Sequence, residues 1–134
     1  LGLANIMTMV TLVIFGFKEA MVVVVIRSVL GSLLGGSITG ILYSLSGGIL
    51  SGLAMSLLYL NFQSYFSLMG ISTAGAVFHN IGQLLTASWI FGTIGILYTY
   101  LPILMLVAVI TGYFNGLVTR YILKYLHNKL EIKQ

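Results

Sequence analysis

The stretch PILMLVAVITGYFNGLVTRYILKY, residues 102–125, decides how the rest of the chain is read. It is apolar and uncharged until Arg120 and Lys124, close to its end. A bilayer core about 30 Å thick takes around 20 apolar residues as one helix. The surrounding chain has the same character. Of its 134 residues 59% are hydrophobic and 6% charged, against roughly 25% charged in a soluble domain. A soluble fold this small leaves about a third of its chain surface in water and could not hide so much apolar surface. Lipid is the solvent that fits.

The expected fold class is therefore an all-α integral membrane protein, a compact bundle of about five transmembrane helices. They are expected over about 3–17, 20–34, 38–60, 71–94 and 102–125. Residues 1–127 form one domain in this reading, and 128–134 a solvated cytoplasmic tail. Gly16 to Glu19 read as a tight polar turn, and Gly35, Gly36 and Ser37 as the next break. Ser46, Gly47 and Gly48 interrupt the third segment. Asn61 to Met69 read as a polar-aromatic loop, and Tyr98 to Pro102 as the last connection. The run Val22 to Ile26 would suggest a strand in water. In lipid a lone strand leaves its backbone groups unpaired, so helix is the reading.

The net charge of +4 is not a nucleic-acid signal. Four of the six basic residues, Arg120, Lys124, Lys129 and Lys133, lie in the final stretch. Such clustering beyond a membrane helix reads as positive-inside anchoring. The C-terminus is expected in the cytoplasm, and counting back puts Lys18 there too. The expected location is the plasma membrane, as a multi-pass protein. The chain opens on an apolar segment at Leu1 without a basic n-region or a small-residue cleavage motif. It is read as having no signal peptide and as continuing upstream.

Glycines recur four apart: Gly31 and Gly35, Gly36 and Gly40, Gly48 and Gly52, Gly112 and Gly116. Small residues at this spacing let helices approach closely in lipid. Packing inside the bundle and docking to a separate membrane subunit both fit the pattern.

Few residues could carry binding. Arg27 falls near the middle of the second helix, where an arginine costs about 2.5–3.5 kcal/mol on insertion scales. No Asp or Glu lies inside any of the five segments to pair with it. It is read either as bonded to backbone and snorkelling or as the counter-charge for an anionic substrate. His79, Asn80 and Gln83 share one side of the fourth helix. They should point into the bundle, because amides in hydrocarbon are costly. Interhelical hydrogen bonding and ligand binding both account for them. Asn5, Tyr43 and Asn115 complete the candidate substrate-binding set. Trp89 and Tyr98 read as interfacial anchors or as a lid.

Catalysis is not expected. The only acids are Glu19 and Glu131, and cysteine is absent. No DDxxD-type carboxylate cluster, P-loop, Rossmann fingerprint or HExxH occurs, and no second ligand is placed beside His79 for a metal. No metal and no cofactor is expected. The expected partners are a small-molecule substrate, anionic on the Arg27 argument, and the lipid bilayer, with no nucleic acid.

The ordered segments Leu1 to Ile6, Phe15 to Ala20, Arg27 to Gly36, Ser46 to Gly48 and His79 to Gln83 resemble the Gx transporter family, also named heptaprenyl diphosphate synthase component I. That family is similar to the substrate-binding S components of energy-coupling-factor transporters. The resemblance implies a six-helix fold with one helix before Leu1. It also implies a transmembrane coupling subunit and ATPases as partners. The leading expectation is a substrate-binding subunit of such an importer. The alternative is a non-catalytic accessory subunit of heptaprenyl diphosphate synthesis, holding a lipid tail while another protein does the chemistry.

Overall fold

The structure is a computed structural model that describes residues 2–62 and 65–130. Among these residues it holds five α-helices and no strand: α1 (Gly2–Phe15), α2 (Phe17–Leu34), α3 (Thr39–Phe62), α4 (Leu68–Phe91) and α5 (Gly95–Leu130). Two helical stretches, Thr39–Phe62 and Gly95–Leu126, are long and apolar enough to cross a membrane, and Asn5–Phe15 is apolar but shorter.

Neighbouring helices run antiparallel. Met21 of α2 approaches Gly52 of α3, while Val24 and Arg27 approach Gly48. Met55 of α3 meets Gly75 of α4, and Gly47 meets His79. Met69 and Thr73 of α4 meet Gly116 and Gly112 of α5. α1 touches all four other helices and closes the bundle. Its Met9 and Leu12 pack with Ala20, Met55 and Ile71 in the apolar core. The up-and-down order puts the α1–α2 turn, the α3–α4 connection and the end of α5 at one end of the bundle. The α2–α3 and α4–α5 connections lie at the other.

The breaks are tighter than expected. Gly16 alone turns the chain from α1 into α2, with φ 106° and ψ −174°, a region essentially open only to glycine. Phe17, Lys18 and Glu19 already belong to α2. α3 passes through Ser46, Gly47 and Gly48 without a break, because both glycines lie buried against neighbouring helices and the close contact compensates their weak helix propensity. α4 starts at Leu68, capped by the Ser67 hydroxyl accepting from the Gly70 amide. It ends at Gly92 in the left-handed conformation, a common helix stop.

α5 begins at Gly95, so Tyr98 to Pro102 lie inside the helix and not in a connection. Proline removes one backbone bond, whereas helix on both sides of it satisfies the remaining backbone groups. At its far end α5 runs on through Leu130, so residues 128–130 of the expected tail are helical. Residues 131–134, and with them Glu131 and Lys133, lie outside the described residues.

Two of the four glycine pairs are internal. Gly48 and Gly52 receive α2, and Gly112 and Gly116 receive the α4 backbone. Gly31 has nothing within 4 Å of where a Cβ would stand, and Gly35 meets only its own helical turn. Gly36 sits in the turn after α2, and Gly40 meets Ser37 and Ser32 of its own corner.

Candidate functional site

The bundle buries small polar residues beside its apolar core of Met9, Leu12, Ala20, Met55 and Ile71, and its exterior is large and apolar. Buried positions include Asn5, Thr8, Ser28, Ser32, Ser51, Ser56, Ser72, His79, Asn115 and Thr119. Exposed positions include Leu34, Ile38, Phe91, Leu106, Ile110 and Phe114. Residues at i, i+3, i+4 and i+7 share a helix face, and on α2 the inward face is Ala20, Val24, Ser28 and Ser32. The site is built from the polar groups this arrangement encloses.

A cavity of about 460 Å³, open to the outside along the exposed Ile110 and Phe114, lies between α1, α4 and α5, within the roughly 300–1,000 Å³ of small-molecule pockets. On α5 its wall is Leu104, Val107, Ile110, Thr111, Phe114 and Asn115; on α4 it is Ala76, His79 and Asn80; Asn5 comes from α1. The α5 wall spans about 16 Å at 1.5 Å per residue. Most of the lining is apolar, with amides and one imidazole set into it. The Asn80 amide donates to the Leu104 carbonyl at 3.0 Å and so ties α4 to α5. Asn5 accepts from the Ser51 hydroxyl at 3.4 Å, which holds α1 to α3. These two bonds fix the amides on two of the cavity's sides.

A second polar locus lies around Gly47 and Gly48 of α3. A Cβ on Gly47 would stand 3.1 Å from His79 Cε1 and 3.0 Å from Gln83 Cγ. One on Gly48 would stand 3.0 Å from Arg27 Nη2 and 3.6 Å from Ser28 Oγ. The glycine pair is thus a notch with Arg27 and Ser28 on the α2 side and His79 and Gln83 on the α4 side. Buried Nε and Nη2 of Arg27, Ser28 Oγ and both ring nitrogens of His79 have no hydrogen-bond partner. The Gly47 backbone adjoins the imidazole without the geometry of a full hydrogen bond. Below the notch, the Thr86 hydroxyl meets that of Ser46 at 2.6 Å, and Ser46 reaches the Gly82 carbonyl at 3.2 Å.

Of the seven candidate residues, Asn5, His79, Asn80 and Asn115 line the cavity together. Arg27 and Gln83 belong to the notch. Tyr43 lines neither, and its carbonyl accepts from the Ser46 hydroxyl. Trp89 and Tyr98 are exposed near the α4–α5 connection and do not line the cavity. Sequence reasoning missed the apolar α5 wall. Its signal was the spacing of Leu104, Val107, Ile110, Thr111 and Phe114, which share a helix face. It also missed Ser28, whose spacing from Val24 and Arg27 puts all three toward Gly48. Among the described residues no three His, Cys, Asp or Glu side chains gather as a metal site would require.

The model of one protein family, described as heptaprenyl diphosphate synthase component I, matches residues 1–122. No curated protein and no solved structure matches the chain.

Proposed function

The chain belongs to the heptaprenyl diphosphate synthase component I family, and from that premise we propose that it is a membrane-embedded, non-catalytic subunit that binds an isoprenoid chain for a partner enzyme. The observation that carries this reading is the cavity between α1, α4 and α5, apolar along Leu104, Val107, Ile110 and Phe114. A prenyl tail suits such a wall through van der Waals contact, the term that drives apolar association within lipid. Chemistry is left to another protein. The chain's two acids, Glu19 and Glu131, make no carboxylate cluster for diphosphate–metal chemistry.

The large apolar exterior and the two long apolar helical stretches support embedding in the membrane. Leucine, isoleucine and phenylalanine cover the outside, while the inside mixes serine, threonine and asparagine with an apolar core. Water would penalise that exterior, and lipid does not. Small inward residues are also what lipid-embedded helices use to approach one another. Exposed Trp89, Tyr98 and Tyr100 gather near one end, at the level aromatic belts take. Exposed Lys18, Arg120 and Lys124 fall toward the other, which is the cytoplasmic end on the positive-inside rule. The protein is multi-pass in this reading, with its C-terminus in the cytoplasm.

A second reading, the substrate-binding subunit of an energy-coupling-factor-type importer, is favoured by the amides. Asn5, Asn80 and Asn115 line the cavity beside His79, and a bare hydrocarbon tail does not require them. Native mass spectrometry of the purified protein separates the two. A co-purified polyprenyl species is the expected result. A water-soluble metabolite moves the assignment to the importer, and no reproducible ligand overturns both.

A further inference from the structure

One side chain in the cavity is buried, polar and unused. Asn115 of α5 is 4% exposed and lines the cavity. Among the described residues no hydrogen bond engages its carboxamide, and neither of its polar atoms is sealed inside the protein. Buried polar groups find a partner in roughly nine cases in ten or more, so this carboxamide is left for something held in the cavity. The other polar groups there are committed. Asn80 donates to the Leu104 carbonyl, and Asn5 accepts from the Ser51 hydroxyl. Thr111 donates to the Val107 carbonyl of its own helix.

The lining carries no Lys, Arg, Asp or Glu. Its one titratable residue, His79, has both ring nitrogens enclosed by protein. Arg27 stands beside Gly48 of α3, outside the cavity. Arg120 is exposed and lies more than one helical turn beyond Asn115. An anion here would lose its hydration without gaining a counter-charge, which costs far more than burying a neutral group. The mouth runs along Ile110 and Phe114, 64% and 63% exposed, on a surface that faces hydrocarbon in a membrane-embedded bundle. A ligand reaching the cavity by that mouth crosses a medium in which charge is costly.

We propose that the cavity takes an uncharged amphiphile from the bilayer, with a hydroxyl head on Asn115 and its apolar chain along the α5 wall toward Leu104. A carboxamide both donates and accepts. A hydroxyl does the same, accepting from Nδ2 and donating to Oδ1. An ether or carbonyl head only accepts and would leave Oδ1 unpaired. Phe114, Ile110, Val107 and Leu104 then offer the chain a continuous apolar wall. The proposal rests on the isoprenoid reading and narrows it: the chain held here ends in an alcohol.

The test separates the two ideas. Purified protein in detergent is titrated with three tritiated probes that share a tail: farnesol, farnesyl methyl ether and farnesyl phosphate. Wild type should bind farnesol roughly threefold to tenfold more tightly than the ether, the range of one net hydrogen bond. Its preference for farnesol over the phosphate should be at least about tenfold, because the phosphate charge goes unpaired. Asn115→Leu should bring farnesol and the ether to equal affinity while the ether still binds. Asn115→Ala should do the same where leucine crowds the site. Tyr43→Phe, which lines neither the cavity nor the notch, should keep the wild-type preference. Equal binding of farnesol and the ether by wild type, or a preference that survives both Asn115 variants, overturns the hydroxyl site and leaves the cavity as a holder of the chain. Phosphate binding as tight as that of farnesol overturns the uncharged class. Failure of all three probes to bind overturns the isoprenoid reading itself.

Discussion

Gly112→Ala is the sharpest perturbation of the bundle. A Cβ at Gly112 would stand 2.5 Å from Thr73 Cα and 3.1 Å from Thr73 N, both backbone atoms of α4. Carbon atoms rest at about 3.5–4.0 Å, so α5 must retreat by roughly 1–1.5 Å at that point. A gap of 0.5–1 Å already forfeits about a quarter to a half of each dispersion contact. Overpacking of this kind costs about 1–3 kcal/mol, and a rigid backbone neighbour places Gly112→Ala in the upper half of that range. Gly116 repeats the contact one turn on, 2.5 Å from Met69 Cα. Once the helix has moved for one alanine, the second finds room, so the double variant should cost clearly less than the sum of the singles. Gly31→Ala is the control. Nothing lies within 4 Å of its Cβ position, and alanine should be neutral or gain up to about 1 kcal/mol from helix propensity. The assay is reversible denaturation of the purified protein in detergent, followed by circular dichroism. Equal effects of Gly112→Ala and Gly31→Ala would refute the close α4–α5 contact.

Asn80→Ala removes the amide that donates to the Leu104 carbonyl; the same denaturation should register about 0.6 kcal/mol and no more than about 1.7, and a larger loss would mean that Asn80 does more than tie α4 to α5. Cysteines placed at Lys18 and Lys124 should react with a membrane-impermeant reagent from the same side of the membrane, because the antiparallel order puts both toward one end; reaction from opposite sides would break the topology.

Much of the site's chemistry was already visible along the chain. Arg27 and His79 stand out wherever the fold is unknown, because a charge or an imidazole within an apolar run demands a partner. That Asn5, His79 and Asn115 face inward follows from the same cost. Tyr43 shows where that logic stops. Its hydroxyl lets it sit at either an interior or an edge position, and the fold uses its carbonyl, not its ring, in the Ser46 contact. Pro102 misled for a related reason. A proline is a strong local stop in water, yet seven residues before it are helical here, since continuing the helix leaves fewer backbone groups unpaired.

Helicity and the five-helix count were determined by sequence alone, because the length and apolarity of each run and the glycines between them are local properties. The existence of a few expensive polar groups was determined the same way. Only the tertiary structure decided that Gly48, Gly52, Gly112 and Gly116 face other helices while Gly31 faces outward. It also divided the candidates between a cavity beside α5 and a notch on α3. These depend on the register of one helix against the next. Register is set by the fit of side chains far apart in the chain, and periodicity within a single helix carries no information about it.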